Sequence, residues 1–217
     1  MHTPSFRRTP GYLLGCLLLI LASSPLAQPS TAPGLSEAAS QARLTNWQNL
    51  LEQGASLDEP AKLEAVNRLI NRSIIYTSDS QAWGQDDYWA TPEETLRLGQ
   101  GDCEDFAIAK YFALRKLGVA VERLRLTYVK ALGRNSAHMV LAYYASNNAQ
   151  PLILDNLNSQ VLPAAARRDL LPVYAFNGQG IYLAKAPTQK LRHPTTLLTR
   201  WGELSARLQD SDLHPLL

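Results

Sequence analysis

The fold of this chain follows from the stretch Gly101-Asp102-Cys103-Glu104-Asp105-Phe106-Ala107-Ile108-Ala109-Lys110-Tyr111. Its first two residues interrupt a short preceding helix, and a longer helical pattern begins at Cys103 or Glu104 and runs to Leu117. Apolar side chains recur there at helical spacing, on one side of the predicted helix; they are Phe106, Ala109, Phe112 and Ala113. The pattern therefore predicts a helix with Cys103 at its N-terminus.

Predicted helices precede this stretch, and predicted strands follow it. Apolar spacing indicates helices near 43–53 and 59–72, which would pack together as an N-terminal helical lobe. Thr91-Pro92-Glu93-Glu94 begins another helix, because it offers an N-cap, a proline for the first turn and a capping box. Antiparallel strands are predicted at 121–130, 137–145, 151–156 and around 172–184, before a closing amphipathic helix. This order favours an α+β fold in which the helix of Cys103 packs on an antiparallel sheet.

The first residues predict export. Arg7 and Arg8 precede an apolar run that is too short to span a bilayer comfortably, which is typical of a secretory signal peptide. We expect a signal peptide at 1–27, a flexible leader at 28–42 rich in Pro, Ser and Ala, and a single domain at 43–217. The full chain has a formal net charge of +2, and removing the two arginines leaves it neutral. A neutral protein lacks the basic surface that nucleic-acid binding requires.

Cys103 becomes the only thiol of the exported chain, because Cys16 leaves with the signal peptide. A lone cysteine in an oxidising compartment is a buried hydrophobic residue, an intermolecular partner or a reactive thiol. The acidic neighbours of Cys103 disfavour a wholly apolar site, and a helix N-terminus lowers the pKa of a thiol. These features favour a nucleophile. One cysteine and one histidine fall short of a usual zinc site.

His138 is the best candidate for a base, because the other histidines lie in the signal peptide, before a proline or in the polar C-terminal tail. It opens one predicted strand, and Asp155 ends the next, where a carboxylate after three apolar residues needs a partner. A hairpin would bring the two together, with Asp155 orienting the ring for proton transfer from Cys103. The alternatives are a structural histidine and a turn or capping aspartate.

The region from Trp83 to Leu183 resembles the bacterial transglutaminase-like cysteine proteinases, which have a papain-like or transglutaminase-like fold. The resembling segments are spread over about half of the exported chain: they are Trp83-Gly84, Asp87-Tyr88-Trp89, Thr91-Pro92, Gly101 to Tyr111, Leu124 to Val129, Ala137 to Leu141, Leu154 to Leu157 and Tyr174 to Gly178. The chain order Cys, His, Asp also suits that family.

This resemblance implies a calcium-dependent periplasmic endoprotease. Such a protein cleaves the N-terminal region of a large cell-surface adhesin near a paired-alanine site, which releases biofilm, and the periplasmic domain of a membrane-bound cyclic di-GMP receptor sequesters it. The resemblance assigns calcium binding to Asp102, Glu104 and Asp105, and carboxylate oxygens are suitable Ca²⁺ ligands. The alternative is that these acids only complement a helix N-terminus.

Two further assignments stay open at the level of sequence. The Cys103 N–H is the natural first donor of an oxyanion hole, and Trp89 is either a second donor, by analogy with transglutaminase-like folds, or a core residue. The same three residues would also serve an acyltransferase, because an amine can resolve a thioester in place of water. A catalytically silent binding protein is the third class of function.

Overall fold

The computed structural model describes residues 36–146, 149–183, 186–191 and 198–217. The predicted signal peptide and residues 28–35 of the predicted leader lie outside the described residues. The helices are α1 (Glu37–Gly54), α2 (Glu59–Ser73), α3 (Asp79–Ala82), α4 (Pro92–Leu98), α5 (Cys103–Lys116) and α6 (Thr199–Arg207). The strands are β1 (Ile75–Tyr76), β2 (Gln100–Gly101), β3 (Leu124–Ala131), β4 (Ser136–Tyr143), β5 (Leu152–Leu154), β6 (Leu162–Pro163), β7 (Leu170–Asn177), β8 (Gly180–Leu183) and β9 (Ala186–Leu191).

Helix α1 begins inside the segment predicted as a flexible leader at 28–42, so the predicted end of the leader is wrong. The Ser36 side chain caps this helix, which starts at Glu37. The first turns of α1 have no apolar stripe that a sequence pattern could show, and a polar contact anchors them to the rest of the chain. The Arg43 guanidinium donates hydrogen bonds to the carbonyl oxygens of Leu96 and Arg97 at 2.6 and 2.7 Å. These carbonyls belong to the last turn of α4, where helical partners are missing.

Seven of the described strands form one antiparallel sheet in the order β6-β5-β4-β3-β7-β8-β9. The register places Val129 of β3 opposite His138 of β4, and Leu141 of β4 opposite Leu154 of β5. Asp155, which follows Leu154 directly, therefore leaves the sheet beside the N-terminal half of β4. The predicted neighbouring strands are present, and β4 and β5 bring the histidine and aspartate segments together.

Helix α5 packs on β3 and β4 and forms the centre of the main core. Trp201 of α6 closes this core, with ring centroids 5.9 Å from Tyr111, 6.3 Å from Phe112 and 5.4 Å from Phe176. The opposite face of the sheet carries a smaller apolar cluster that includes Val140. The predicted α+β class, with a helical lobe and the Cys103 helix on an antiparallel sheet, is confirmed. Among the described helices, none has the length and apolar character needed to cross a bilayer.

Strands β1 and β2 form a separate parallel pair that the sequence did not predict. The pairing sets Ile75 beside Gln100 and Tyr76 beside Gly101, immediately before the Cys103 helix. Gly99 joins α4 to β2 with a φ of +70°, which only glycine adopts readily. The short ladder thus fixes the chain that leads into the turn before Cys103.

Candidate active site

Cys103 occupies the first position of α5, and a reciprocal capping box fixes the turn before it. The Asp102 carboxylate accepts a hydrogen bond from the Glu104 N–H at 3.1 Å. The Asp105 carboxylate accepts one from the Asp102 N–H at 3.3 Å. Because the first turn of a helix has unpaired N–H groups, this cap holds the thiol next to backbone donors. The predicted position of Cys103 at a helix N-terminus is confirmed.

Close approach of the backbone explains the glycine in this motif. A Cβ atom on Gly101 would lie 2.5 Å from Oδ2 of Asp105, which is closer than real Cβ atoms come to other heavy atoms. Asp105 is fully buried, so it has little room to move away. A side chain at position 101 would therefore disturb the cap that orients Cys103.

The thiol of Cys103 is partly buried between an acid and a backbone donor. Its S–H donates to Oε2 of Glu104 at 2.6 Å, and its sulfur accepts a hydrogen bond from the Met139 N–H. Burial and the negative charges of Glu104 and Asp102 raise the pKa of the thiol, whereas the Met139 N–H lowers it. The pKa lowering expected from the helix N-terminus is thus outweighed here by desolvation and by two carboxylates.

His138 and Asp155 are in direct contact, as the register of β4 and β5 dictates. Nε2 of His138 lies 2.8 Å from Oδ1 of Asp155, and both residues are buried. This contact leaves Nδ1 as the ring nitrogen available for proton exchange. Met139, whose N–H reaches the Cys103 sulfur, directly follows His138 along β4, so the backbone of this strand carries the histidine within one residue of the contact with the thiol.

Arg167 is a further partner of Asp155, and the sequence did not reveal it. Its Nη2 donates to Oδ2 of Asp155 at 2.7 Å, while the Leu157 N–H donates to Oδ1 at 3.0 Å. Burial alone would raise the pKa of Asp155, but the hydrogen bond and charge of His138, the Leu157 N–H and Arg167 together lower it to about 2. Asp155 is therefore an ionised carboxylate across the physiological pH range.

An acid cluster surrounds the nucleophile turn. Asp79, Asp102 and Asp105 each place a carboxylate oxygen within 4.8 Å of the others. In a second group, a carboxylate oxygen of Asp102, the Cys103 sulfur and a carboxylate oxygen of Glu104 lie within the same distance of one another. Burial and the charge of Glu104 raise the pKa of Asp102, and burial raises the pKa of Asp105 to about 7. Burial and mutual repulsion therefore disfavour ionisation of all these acids at the same time.

Asp79 joins this cluster although no sequence pattern predicted it. Its side chain is buried, and Oδ2 accepts a hydrogen bond from the Tyr88 N–H at 2.6 Å. Among the described residues, Oδ1 has no hydrogen-bond partner. A buried carboxylate oxygen without a donor is costly unless a cation or water completes its contacts. Its position in the four-residue helix α3, before an aromatic segment, gave no spacing signal.

Asp105, which the resemblance assigned to calcium, has a structural role in this turn. Its Oδ1 accepts the Ala90 N–H at 2.8 Å, and its Oδ2 accepts the Asp102 N–H and the Trp83 Nε1–H at 3.3 and 3.5 Å. Three N–H donors thus already share its two oxygens. Asp102, Glu104 and Asp79 have more oxygen lone pairs free for a cation.

Trp89 packs in the core beside the site. Its ring stacks on Phe176 at a centroid distance of 5.7 Å and lies 6.3 Å from Tyr128. The indole Nε1 is buried and has no hydrogen-bond partner in the described part of the chain. Trp89 therefore packs as a core residue while keeping one unused donor. It also borders a cavity of about 410 Å³ that is lined by Asp87, Trp89, Tyr128, Tyr174, Leu198, Thr199 and Arg200.

Helix α6 supports this side of the site, although the C-terminal sequence gave no functional signal. The Arg200 Nε donates to Asp87 at 2.8 Å, and Arg207 donates to the Trp89 carbonyl oxygen. Arg207 also lies over the Tyr88 ring, 4.4 Å from its centroid. These contacts hold the segment 87–89 against the sheet in front of α5.

Comparisons with known proteins agree on one family. The model of the bacterial transglutaminase-like cysteine proteinases (BTLCP) matches residues 39–168. A structure of LapG from Legionella pneumophila is 42% identical, with a TM-score of 0.70 over 78% of this chain and 90% of that chain. The calcium-bound form of the same protein is 41% identical, with a TM-score of 0.72 over 80% and 93% of the two chains. No curated protein sequence matches significantly.

The EGTA-treated form of Legionella pneumophila LapG is also similar to this chain. It is 42% identical, with a TM-score of 0.72 over 78% of this chain and 90% of that one. The family match spans more than half of the chain and includes Cys103, His138 and Asp155. The sequence resemblance and the assignment to the cysteine peptidases are confirmed. This chain belongs to the bacterial transglutaminase-like cysteine proteinases.

Proposed function

We propose that Cys103 is the nucleophile of this peptidase, His138 its general base and Asp155 the acid that orients the base. The observation that carries the proposal is the 2.8 Å contact between His138 Nε2 and Asp155 Oδ1, in a strand whose next residue, Met139, donates its N–H to the thiol at the N-terminus of α5. A carboxylate that holds one ring nitrogen fixes the tautomer, so that the other nitrogen can take the thiol proton.

The reaction follows from this arrangement. Nδ1 of His138 takes the proton from Cys103 as the sulfur attacks the peptide carbonyl carbon, and the Cys103 N–H donates to the oxygen that becomes negative. The C–N bond then breaks, and the imidazolium returns its proton to the leaving amine. Water, deprotonated by the same ring, hydrolyses the thioester and releases the second product with a free thiol. The Asp155 carboxylate stays ionised throughout.

For the substrate, we propose the N-terminal region of a large cell-surface adhesin, cut near a paired-alanine site so that biofilm is released. The resemblance to the family supports this choice, and so does the 42% identity to LapG of Legionella pneumophila. An endoprotease for a large protein needs an open approach to its thiol. The partial exposure of Cys103 is consistent with that need.

We also propose that the activity depends on calcium, held by Asp102 and Glu104 with Asp79 as a further ligand. Three observations support this site: Asp102 has an oxygen within 4.8 Å of one from Glu104 in one group and of one from Asp79 in another, one buried Asp79 oxygen has no donor among the described residues, and burial and the charge of Glu104 raise the pKa of Asp102. Such a set suits Ca²⁺ better than zinc. A bound Ca²⁺ would supply positive charge that offsets the carboxylates next to the thiol.

Cleavage of an adhesin fragment tests substrate and calcium together. The purified chain without its signal peptide is expected to cut an adhesin N-terminal fragment with a paired alanine in Ca²⁺ and to lose this activity in EGTA. Asp102→Asn and Glu104→Gln should each raise the half-maximal calcium concentration by about 10- to 100-fold, the usual loss when a ligand shell is impaired. Mass spectrometry of the products locates the cut.

Glu93→Gln is the matched control, because Glu93 is an exposed acid of α4 that pairs with Arg97 at 2.8 Å and belongs to neither acid group near Cys103. It should leave the calcium response unchanged. An equal calcium response in all variants would contradict the metal site. A product with a new amide crosslink and no cut peptide would identify an acyltransferase instead.

Finally, we propose a periplasmic location and a regulatory partner, the periplasmic domain of a membrane-bound cyclic di-GMP receptor. The predicted signal peptide supports the location, and the family resemblance supports the partner. A tagged chain should appear in the periplasmic fraction of Gram-negative cells and co-elute with the purified receptor domain in size-exclusion chromatography. Retention in the cytoplasm, or separate elution of the two proteins at micromolar concentration, would contradict this pair of proposals.

A further inference from the structure

We infer that Arg167 is a positioning residue of this active site, which fixes the Asp155 carboxylate so that one oxygen faces His138. The inference deepens the proposed function and rests on the proposed roles of His138 and Asp155. Arg167 does not reach the thiol, so its effect passes through Asp155.

The Arg167 guanidinium donates hydrogen bonds to two carboxylates, those of Asp155 and Asp169. Nε and Nη2 donate to the two oxygens of Asp169 at 3.0 and 2.8 Å, and Nη2 also donates to Oδ2 of Asp155 at 2.7 Å. The paired contact with Asp169 is the fork geometry that only an arginine offers. It sets the plane of the guanidinium and thereby the direction of the N–H that points at Asp155.

The backbone around Arg167 is fixed as well. Its N–H donates to the Ala164 carbonyl oxygen at 3.0 Å, and its own carbonyl oxygen accepts the Leu170 N–H at 3.1 Å. The side chain is only 4% exposed. The tight turn in the β6–β7 connection therefore places the buried Arg167 guanidinium at the end of β5, next to Asp155.

Both oxygens of the Asp155 carboxylate accept hydrogen bonds. Oδ1 receives hydrogen bonds from His138 Nε2 and from the Leu157 N–H, and Oδ2 receives the bond from Arg167. Rotation of the carboxylate would therefore break three hydrogen bonds together. Without Arg167, Oδ2 would lose its donor, and a buried carboxylate would be free to turn away from the ring.

Arg167 lies on the face of the sheet opposite the Cys103 helix, so it can orient Asp155 without binding the substrate. It lines a cavity of about 590 Å³ on the face of the sheet opposite α5, together with Val140 and Ile153. Its Nη1 has no hydrogen-bond partner within the described residues. The orientation of the guanidinium therefore satisfies the contacts of Nε and Nη2 with the two carboxylates and leaves Nη1 unpaired. This is the arrangement expected of a residue that supports a functional side chain.

Two measurements on the chain without its signal peptide test the inference. The first is the rate of Cys103 alkylation by iodoacetamide in wild type, Arg167→Met and Arg167→Lys. The second is ¹⁵N NMR of His138 in a Cys103→Ala background at about pH 8.5, where an unperturbed imidazole is neutral. We expect a single Nε2–H tautomer with Arg167 present and a mixture in Arg167→Met. Alkylation should slow by about 10- to 100-fold in Arg167→Met, the usual effect of losing an orienting partner.

Arg168→Met is the matched control, because Arg168 is exposed and adjacent. It should match wild type in both measurements. If Arg167→Met does not fold, Arg167→Lys decides, because a lysine keeps the charge but cannot hold both carboxylates in the fork geometry. Wild-type alkylation and a single Nε2–H tautomer in the folded Arg167 variant would overturn the inference. Neither measurement needs the adhesin, so failure of the proposed substrate is seen separately, as absent cleavage by wild type.

Discussion

Replacing His138 by alanine is expected to lower kcat for cleavage of the proposed adhesin substrate by about 10²- to 10⁴-fold, the range for loss of a general base. The ring is held by Asp155 at 2.8 Å through Nε2, which leaves Nδ1 to accept the thiol proton. The effect is large because burial and two neighbouring carboxylates already raise the pKa of Cys103. Without an adjacent base, little thiolate forms at neutral pH. Alkylation of Cys103 by iodoacetamide should slow in parallel with cleavage.

His214→Ala is the matched histidine control, because His214 is exposed in the last turn of the chain, far along the sequence from β4. It should alkylate and cleave like wild type. Cleavage and alkylation at wild-type rates in His138→Ala would remove His138 from the mechanism. Slow cleavage with unaltered alkylation would show that the ring acts on the leaving amine and not on the thiol.

The elements that could be predicted are those whose signals are local. Thr91 and Glu94 form the predicted capping box, with the Thr91 N–H donating to Glu94 at 2.7 Å and the Glu94 N–H donating to Thr91 at 3.2 Å. The Cys103 helix has an apolar face and an N-terminal turn that contains its own caps. The contact between His138 and Asp155 follows from two neighbouring strands and their register. Each of these features needs only short-range periodicity and turn chemistry.

The residues that could not be predicted act over long sequence distances. Arg167 reaches Asp155 from a connection in which the charged run Arg167-Arg168-Asp169 follows three alanines, and such a run normally indicates a solvated loop. Asp79 reaches the nucleophile turn from a four-residue helix, and Arg43 anchors α1 to α4 through backbone carbonyls. None of these contacts leaves a period or a spacing in the sequence. The raised pKa of Cys103 has the same origin, because it depends on burial that only the folded chain creates.

Asp155→Asn is expected to lower kcat for cleavage by about 10²- to 10⁴-fold, although asparagine is nearly isosteric and serves as the orienting residue in other papain-like proteases. The reason lies in the donors around it. Oδ1 faces the His138 Nε2 and the Leu157 N–H, and Oδ2 faces the Arg167 guanidinium. An amide has one acceptor oxygen, so whichever way it turns, its NH₂ group opposes a donor. An NH₂ group against Nε2 would favour the wrong tautomer of His138.

The same variant should change how stability depends on pH. The pKa of Asp155 is about 2 in the folded chain and about 3.8 in its ordinary state, so the folded form stabilises the ionised carboxylate. Its contribution, about 2 kcal/mol, is present above about pH 4 and is lost as the pH falls toward 2. Urea unfolding of wild type and Asp155→Asn should therefore show a difference that shrinks between about pH 5 and pH 2.

The double variant Asp155→Asn, Arg167→Met makes the sharpest test of why asparagine fails. With the guanidinium gone, the amide can turn its oxygen toward the His138 Nε2 and the Leu157 N–H, and its NH₂ group no longer meets a cation. We therefore expect Arg167→Met, which is harmful alone, to raise kcat of Asp155→Asn by about 10-fold or more, a sign reversal that marks directly coupled residues. A further loss of activity in the double variant would show that Asp155 and Arg167 act independently.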